Sequence, residues 1–152
     1  MLARFWSAFT PQYKVRTQEL GFTIHEVVTL ASIIEKETGV AHERPIISSV
    51  FHNRLKNGMR LDSDPTVIYG IKNFDGDLTR KHLTTTTPYN TYKIKGLPRG
   101  PIASPGIAAV EAALYPADTD YLFFVSKKDT THKFSTNLKD HKRAIRKYQL
   151  RR

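Results

Sequence analysis

Residues 23–39, TIHEVVTLASIIEKETG, decide the fold. Ile24, Val27, Val28, Ala31 and Ile34 recur at the spacing of one buried helical face. Thr23 can cap the start of this helix, and Gly39 stops it. Near its C-terminal end stand two carboxylates, Glu35 and Glu37. A carboxylate there faces the negative end of the helix dipole. Partial burial acts in the same direction, and both effects favour the neutral form. A carboxyl group that stays protonated near neutral pH can serve as a general acid. On a helical wheel Glu35 and Glu37 fall at opposite edges of the apolar stripe, so periodicity does not choose between them.

The same reading extends outward. Residues 3–20 read as helical, with a break or kink at Pro11. A further helix is predicted over 43–57, with Pro45 in its first turn and Ile46, Ile47, Val50, Phe51 and Leu55 facing inward. Asn57-Gly58 ends it. Residues 59–106 are rich in Gly, Pro, Thr and Asp, and are expected to form long ordered loops carrying short helices near 65–69 and 79–82. Ser104 and Pro105 suggest the cap and first position of another helix, with Ile107, Val110, Ala113 and Leu114 on its apolar face. Residues 121–126, YLFFVS, and 133–135 pair as a hairpin. Asn137 caps a terminal helix with Ala144, Ile145 and Tyr148 turned inward. The fold class is therefore α+β: a helical core, a small antiparallel β element, and long ordered loops lining a cleft.

Bulk composition narrows the function. The 152 residues suit one domain, and 39% hydrophobic with 25% charged residues is ordinary for a globular protein. No apolar run approaches the roughly 18 residues of a membrane span. The first residues, MLARFWSAF, lack the form of a signal peptide. Without cysteine there is no disulfide framework or thiolate metal site. Lys plus Arg is 24 against 14 for Asp plus Glu, a net charge of +10. Such a surface attracts polyanions: nucleic acid, anionic lipid, or a wall polymer bearing carboxylates. Many of the basic residues lie late in the chain, where a solvated helix face is the simpler reading.

Other chemistries find little support. The six histidines show neither HExxH spacing nor an i, i+4 pair, so no metal is expected. GPIASPG is not the GxSxG of a serine hydrolase. No glycine-rich loop has nucleotide-binding form, and no cofactor is implied. Aromatics are not interleaved with basic residues as in RNA-binding sheets, so nucleic acid is not the expected partner.

The blocks LASIIEKET, FHNRL, GMRLDSDPTVIYG, TPYNTY, GLPRGPIASPG and YLFFVS…HKFSTNLKDH, in this order, resemble the YceG-like (MltG) family of endolytic murein transglycosylases. The similarity runs from about Leu30 to His141. It implies that residues 1–152 form a single catalytic domain from a longer protein with an N-terminal transmembrane anchor and a LysM-like subdomain. The native protein would then lie at the inner membrane, facing the periplasm, while this fragment is expected to be soluble. The implied reaction cleaves the β-1,4 bond between N-acetylmuramic acid and N-acetylglucosamine and leaves a 1,6-anhydro end. One carboxyl group acts first as acid and then as base. The implied partners are glycan strands of peptidoglycan and peptidoglycan synthases.

The resemblance also orders the site residues. Lytic transglycosylases of several groups place the acid before a small hydroxyl residue, and Glu37-Thr38 matches that pair where Glu35-Lys36 does not. Glu37 is the expected acid/base. Glu35 is expected as a buttress, bonded to a backbone group or to Arg54. Tyr89 and Asn90 match a Tyr-Asn pair that faces the acid and grips substrate; the plainer reading has Tyr89 and Tyr92 packing the loop while Asn90 caps a turn. In RLDSDPT, Asp64 and Thr66 stand at matching positions as substrate contacts, although Asp64 can also be read as a helix cap. The family more often carries Gln where this chain has Asp62, which weakens a direct sugar contact there. Asn53 is expected as a further substrate contact, and Arg54 can hold a carboxylate, a plain surface salt bridge being the simpler reading. A non-catalytic glycan-binding or divisome-scaffold module, or a basic nucleic-acid-binding domain, are the alternative readings.

Overall fold

A computed structural model describes residues 2–150, with side chains from 5 to 149. The chain runs through α1 (Leu2–Ala8), α2 (Pro11–Glu19), α3 (Ile24–Glu37), a 3-10 turn (Ala41–Glu43) and α4 (Arg44–Lys56). Three short helices follow, α5 (Asp64–Tyr69), α6 (Arg80–Thr84) and α7 (Ile107–Leu114). The hairpin β1 (Phe123–Ser126) and β2 (His132–Ser135), α8 (Leu138–Ile145) and a π-helical turn (Arg146–Leu150) complete the described fold. This is the expected α+β class.

α3 is the central element. Thr23 and Glu26 form a reciprocal capping box at its start, a device that contributes roughly 1 kcal/mol. Val27, Leu30, Ile33 and Ile34 are wholly buried and pack chiefly against α7, where Val110, Ala113 and Leu114 are also buried. Ile47 and Phe51 of α4 close the core from the other side. Pro11 does break the first helical run: Thr10 caps α2, and Pro11 opens it.

Two details depart from the sequence reading. α7 starts after Gly106, not after Ser104, because the Gly106 amide is taken by Glu35 Oε1 at 2.7 Å. Ile107 is then 45% exposed, and Ala109 and Ala112 take the inner face instead. β1 begins at Phe123, two residues later than expected.

The antiparallel register pairs Phe123 with Ser135 and Phe124 with Phe134. Because strand side chains alternate, Phe124 turns to the core and meets Phe51 edge-on at 5.8 Å. Phe123 turns the other way and stacks on His141 of α8 at 4.8 Å. The hairpin is thus held between α4 and α8.

Candidate active site

α3 ends on Glu37 itself, and Thr38 leaves the helix in an extended conformation. The Thr38 hydroxyl accepts the Val40 amide at 3.0 Å and fixes this exit. Glu37 is therefore held at the helix terminus, half-buried, on the wall of a cleft of about 600 Å³. Its pKa is raised from 4.5 to about 8, first by burial and then by the nearby Asp64 carboxylate. At neutral pH this carboxyl group keeps its proton.

Asp64 opens α5 as its first residue, so it is not the cap of that helix. Its carboxylate accepts a 2.7 Å hydrogen bond from the Tyr92 hydroxyl. Burial and that bond push the Tyr92 phenol far above its ordinary range, so it remains a donor. Glu37, Asp64 and Tyr92 share the cleft wall. The two loops that supply Asp64 and Tyr92 are clamped by buried hydroxyls. Thr66 Oγ1 lies 2.8 Å from Thr91 Oγ1, and the Ser63 amide donates to Thr91 Oγ1 at 2.9 Å.

Several expected substrate contacts are placed elsewhere. Thr66 is wholly buried in the clamp just described, where it also donates to the Ser63 carbonyl. Asn90 is likewise wholly buried. Its amide nitrogen donates to the carbonyls of His82, Leu83 and Thr85, and its oxygen accepts the Tyr92 amide at 2.9 Å. With donor and acceptor both engaged, Asn90 shapes the loop and presents no group to a sugar. Tyr89 packs on Tyr69 with ring centroids 4.7 Å apart and does not line the Glu37 cleft. Asn53 donates to the carbonyls of Thr119 and Tyr121, both at 2.9 Å, and so ties α4 to the segment before β1.

Arg54 and Asp62 do line the cleft. Buried Arg54 donates to the Leu122 and Arg60 carbonyls and sits 3.4 Å from Asp62. This is an embedded anchor rather than a surface salt bridge. Asp62 adopts φ +52, a left-handed conformation that asparagine and aspartate tolerate better than most residues. Glu35 buttresses the Gly106 backbone, one of its two expected roles, and makes no bond to Arg54.

The sequence reading did not assign Tyr92 or His141 to this cleft, which both line. Tyr92 lies in the same TPYNTY block as Tyr89, three residues on, and only the Thr66–Thr91 clamp reveals which tyrosine meets the carboxylates. His141 also lines the cleft, with its buried Nδ1 unpartnered, and burial followed by the Arg54 charge lowers its pKa. A neutral imidazole therefore faces the cleft. Among the described residues, no cluster of His, Asp or Glu is placed to hold a metal ion.

The fold and cleft define a helical domain with a protonated carboxyl group poised over a groove. The chain belongs to the YceG-like family, whose sequence profile matches residues 1–147. It is 41% identical over 142 residues to an endolytic murein transglycosylase of Bacillus subtilis, covering 93% of this chain and 39% of that protein. An endolytic murein transglycosylase of Streptococcus pneumoniae is 31% identical over 95% of this chain and 27% of its own length. The crystal structure of a YceG-like protein from Listeria monocytogenes superposes with a TM-score of 0.79 at 42% identity, over 88% of this chain and 43% of that one. The chain thus spans well under half the length of these relatives. Among the described residues, no helix is long and apolar enough to cross a membrane.

Proposed function

We propose that this chain is the catalytic domain of an endolytic peptidoglycan lytic transglycosylase, with Glu37 as its acid/base. The observation that carries this reading is the Glu37 carboxyl group, protonated at neutral pH and open to a cleft that can take a glycan strand. Glu37 gives its proton to the glycosidic oxygen of the departing N-acetylglucosamine. The C1–O bond breaks, and positive charge develops on the muramic ring. The C6 hydroxyl oxygen of that ring closes onto C1, and its proton passes to the Glu37 carboxylate. No water is consumed, and the acid returns to its starting state.

Asp64 has two roles in this scheme. Its negative charge helps keep Glu37 protonated, and it favours the cationic transition state. Tyr92 holds the Asp64 carboxylate in place. The pair differs from the two-carboxylate hydrolases because the second carboxylate need not activate water. The same reading sets the enzyme beside the peptidoglycan synthases at the membrane face where the wall grows.

The test is digestion of purified sacculi, with products read by mass spectrometry. Wild-type protein yields 1,6-anhydromuramyl ends, and Glu37→Gln lowers their rate at least about a hundredfold, the scale of lost general acid catalysis. Anhydro products at an undiminished rate from the variant would move the chemistry to another carboxylate. Sacculus binding without turnover by the wild-type chain would favour a glycan-binding module.

A further inference from the structure

A second groove, of about 490 Å³, lies between β2 and α8, away from Glu37. Lys133 of β2, and Arg143 and Lys147 of the terminal helical segment, line its walls. The acid among its lining residues is Asp140, which is bound by Asn137 Nδ2 at 3.0 Å and lies 3.7 Å from Arg143. The lining therefore carries a cationic excess. At the groove also lies Ser135, 4% exposed, with a hydroxyl that has no hydrogen-bond partner. A buried polar group left unpaired costs stability, and this hydroxyl oxygen lies beneath the groove surface rather than open to it. Tyr121 stacks on Phe134 at 5.5 Å and adds a flat apolar wall.

We propose that this groove binds the free carboxylates of the peptides that branch from murein glycan strands. The proposal rests on the glycan-cleaving reading of the Glu37 cleft and adds a subsite to it. The three exposed cations suit a carboxylate, and the aromatic wall suits the aliphatic part of a short peptide. The position fits as well. Leu138, His141 and Ile145 of α8 line the Glu37 cleft, while Arg143 and Ala144 of the same helix line the second groove. A helix is about 10 Å across, and an extended chain advances about 3.3 Å per residue. A peptide branch of a few residues can therefore reach round α8 from a sugar bound in the cleft.

Isothermal titration of the 152-residue chain with a muramyl tripeptide, carrying either free or amidated carboxyl groups, tests this directly. The expected result is an affinity for the free acid about tenfold above that of the amide, since a charge-assisted hydrogen bond is worth about that factor. Lys133→Ala and the double change Arg143→Ala, Lys147→Ala each remove that preference, and Lys133→Arg restores it. Glycan cleavage supplies a second readout. The alanine variants raise KM on peptide-bearing strands and leave kcat unchanged, while amidase-stripped strands are cut as by wild type. Equal affinity for acid and amide overturns the proposal without need of any variant. So does cation-dependent binding of inorganic phosphate or phosphatidylglycerol vesicles with no peptide preference. If the chain binds the free acid selectively but cleaves no glycan, the catalytic reading fails and the subsite stands.

Discussion

At the scale of single residues, the proposed mechanism depends on keeping one proton at neutral pH. The native pKa of Glu37, about 8, lies above its ordinary 4.5. The folded state therefore binds this proton more tightly than the unfolded chain. Its contribution to stability is complete below about pH 4.5 and is lost as pH rises through 8. Glu37→Gln, which never ionises, should make the protein more stable than wild type at pH 9, by about 1–2 kcal/mol once partial solvent screening is allowed for. Thermal melts at pH 5 and pH 9 check the sign: the gain belongs to the higher pH. On the proposed mechanism, activity follows the same proton. kcat/KM should fall as pH rises through about 8. Asp64→Asn removes one of the two causes of the shift, so the falling limb should move to lower pH while burial keeps it above 4.5. A limb that stays in place in this variant would mean that Asp64 does not act on the catalytic proton.

At the scale of elements, the cleft forms because the hairpin is tied to distant parts of the chain. Buried Glu43, in the 3-10 turn before α4, accepts the His132 backbone amide at 2.9 Å and lies 2.9 Å from His132 Nδ1. Arg54 draws the Leu122 carbonyl to α4 at 2.6 Å. Glu43→Ala leaves a buried amide unpaired and frees β2, and should cost about 2–4 kcal/mol in a denaturant titration. A loss below about 0.5 kcal/mol would show that the core phenylalanines hold the hairpin unaided. These ties also explain what the sequence showed and what it hid. The α3 and α4 periodicities, the Thr23 cap and the Pro11 break are local patterns, and local patterns are legible. That a carboxylate would stand at the end of α3 was legible for the same reason, whereas the preference for Glu37 over Glu35 came from the resemblance. The fates of Asn90, Thr66 and Asn53 were not. Each is set by carbonyls or hydroxyls on other segments, up to 68 residues away, and a polar side chain in a loop has no period to show which way it points. The resemblance placed these residues near the site, but only packing separates a side chain that faces the sugar from one that shapes the loop.

At the scale of the whole molecule, charge and chemistry are separated. The net charge of +10 is spread over exposed side chains, among them Lys139, Lys142, Arg143, Arg146 and Lys147 of the C-terminal segment. The Glu37 cleft instead carries the carboxylates Asp62 and Asp64, with Arg54 held in its wall. On the proposed reading the basic surface gathers an anionic polymer, and the cleft then acts on a neutral glycosidic bond. Salt separates the two steps. Screening shortens from about 10 Å at 0.1 M to about 3 Å at 1 M ionic strength, so long-range attraction weakens while contacts inside the cleft change little. Retention on sacculi, measured by co-sedimentation, should therefore fall steeply over that range. The rate at saturating glycan should change less than about twofold, because burial is the larger cause of the Glu37 shift and salt does not reverse it. Salt-independent retention would mean that the positive surface has no part in gathering substrate. A rate that fell in step with retention would tie the surface charge to the chemical step.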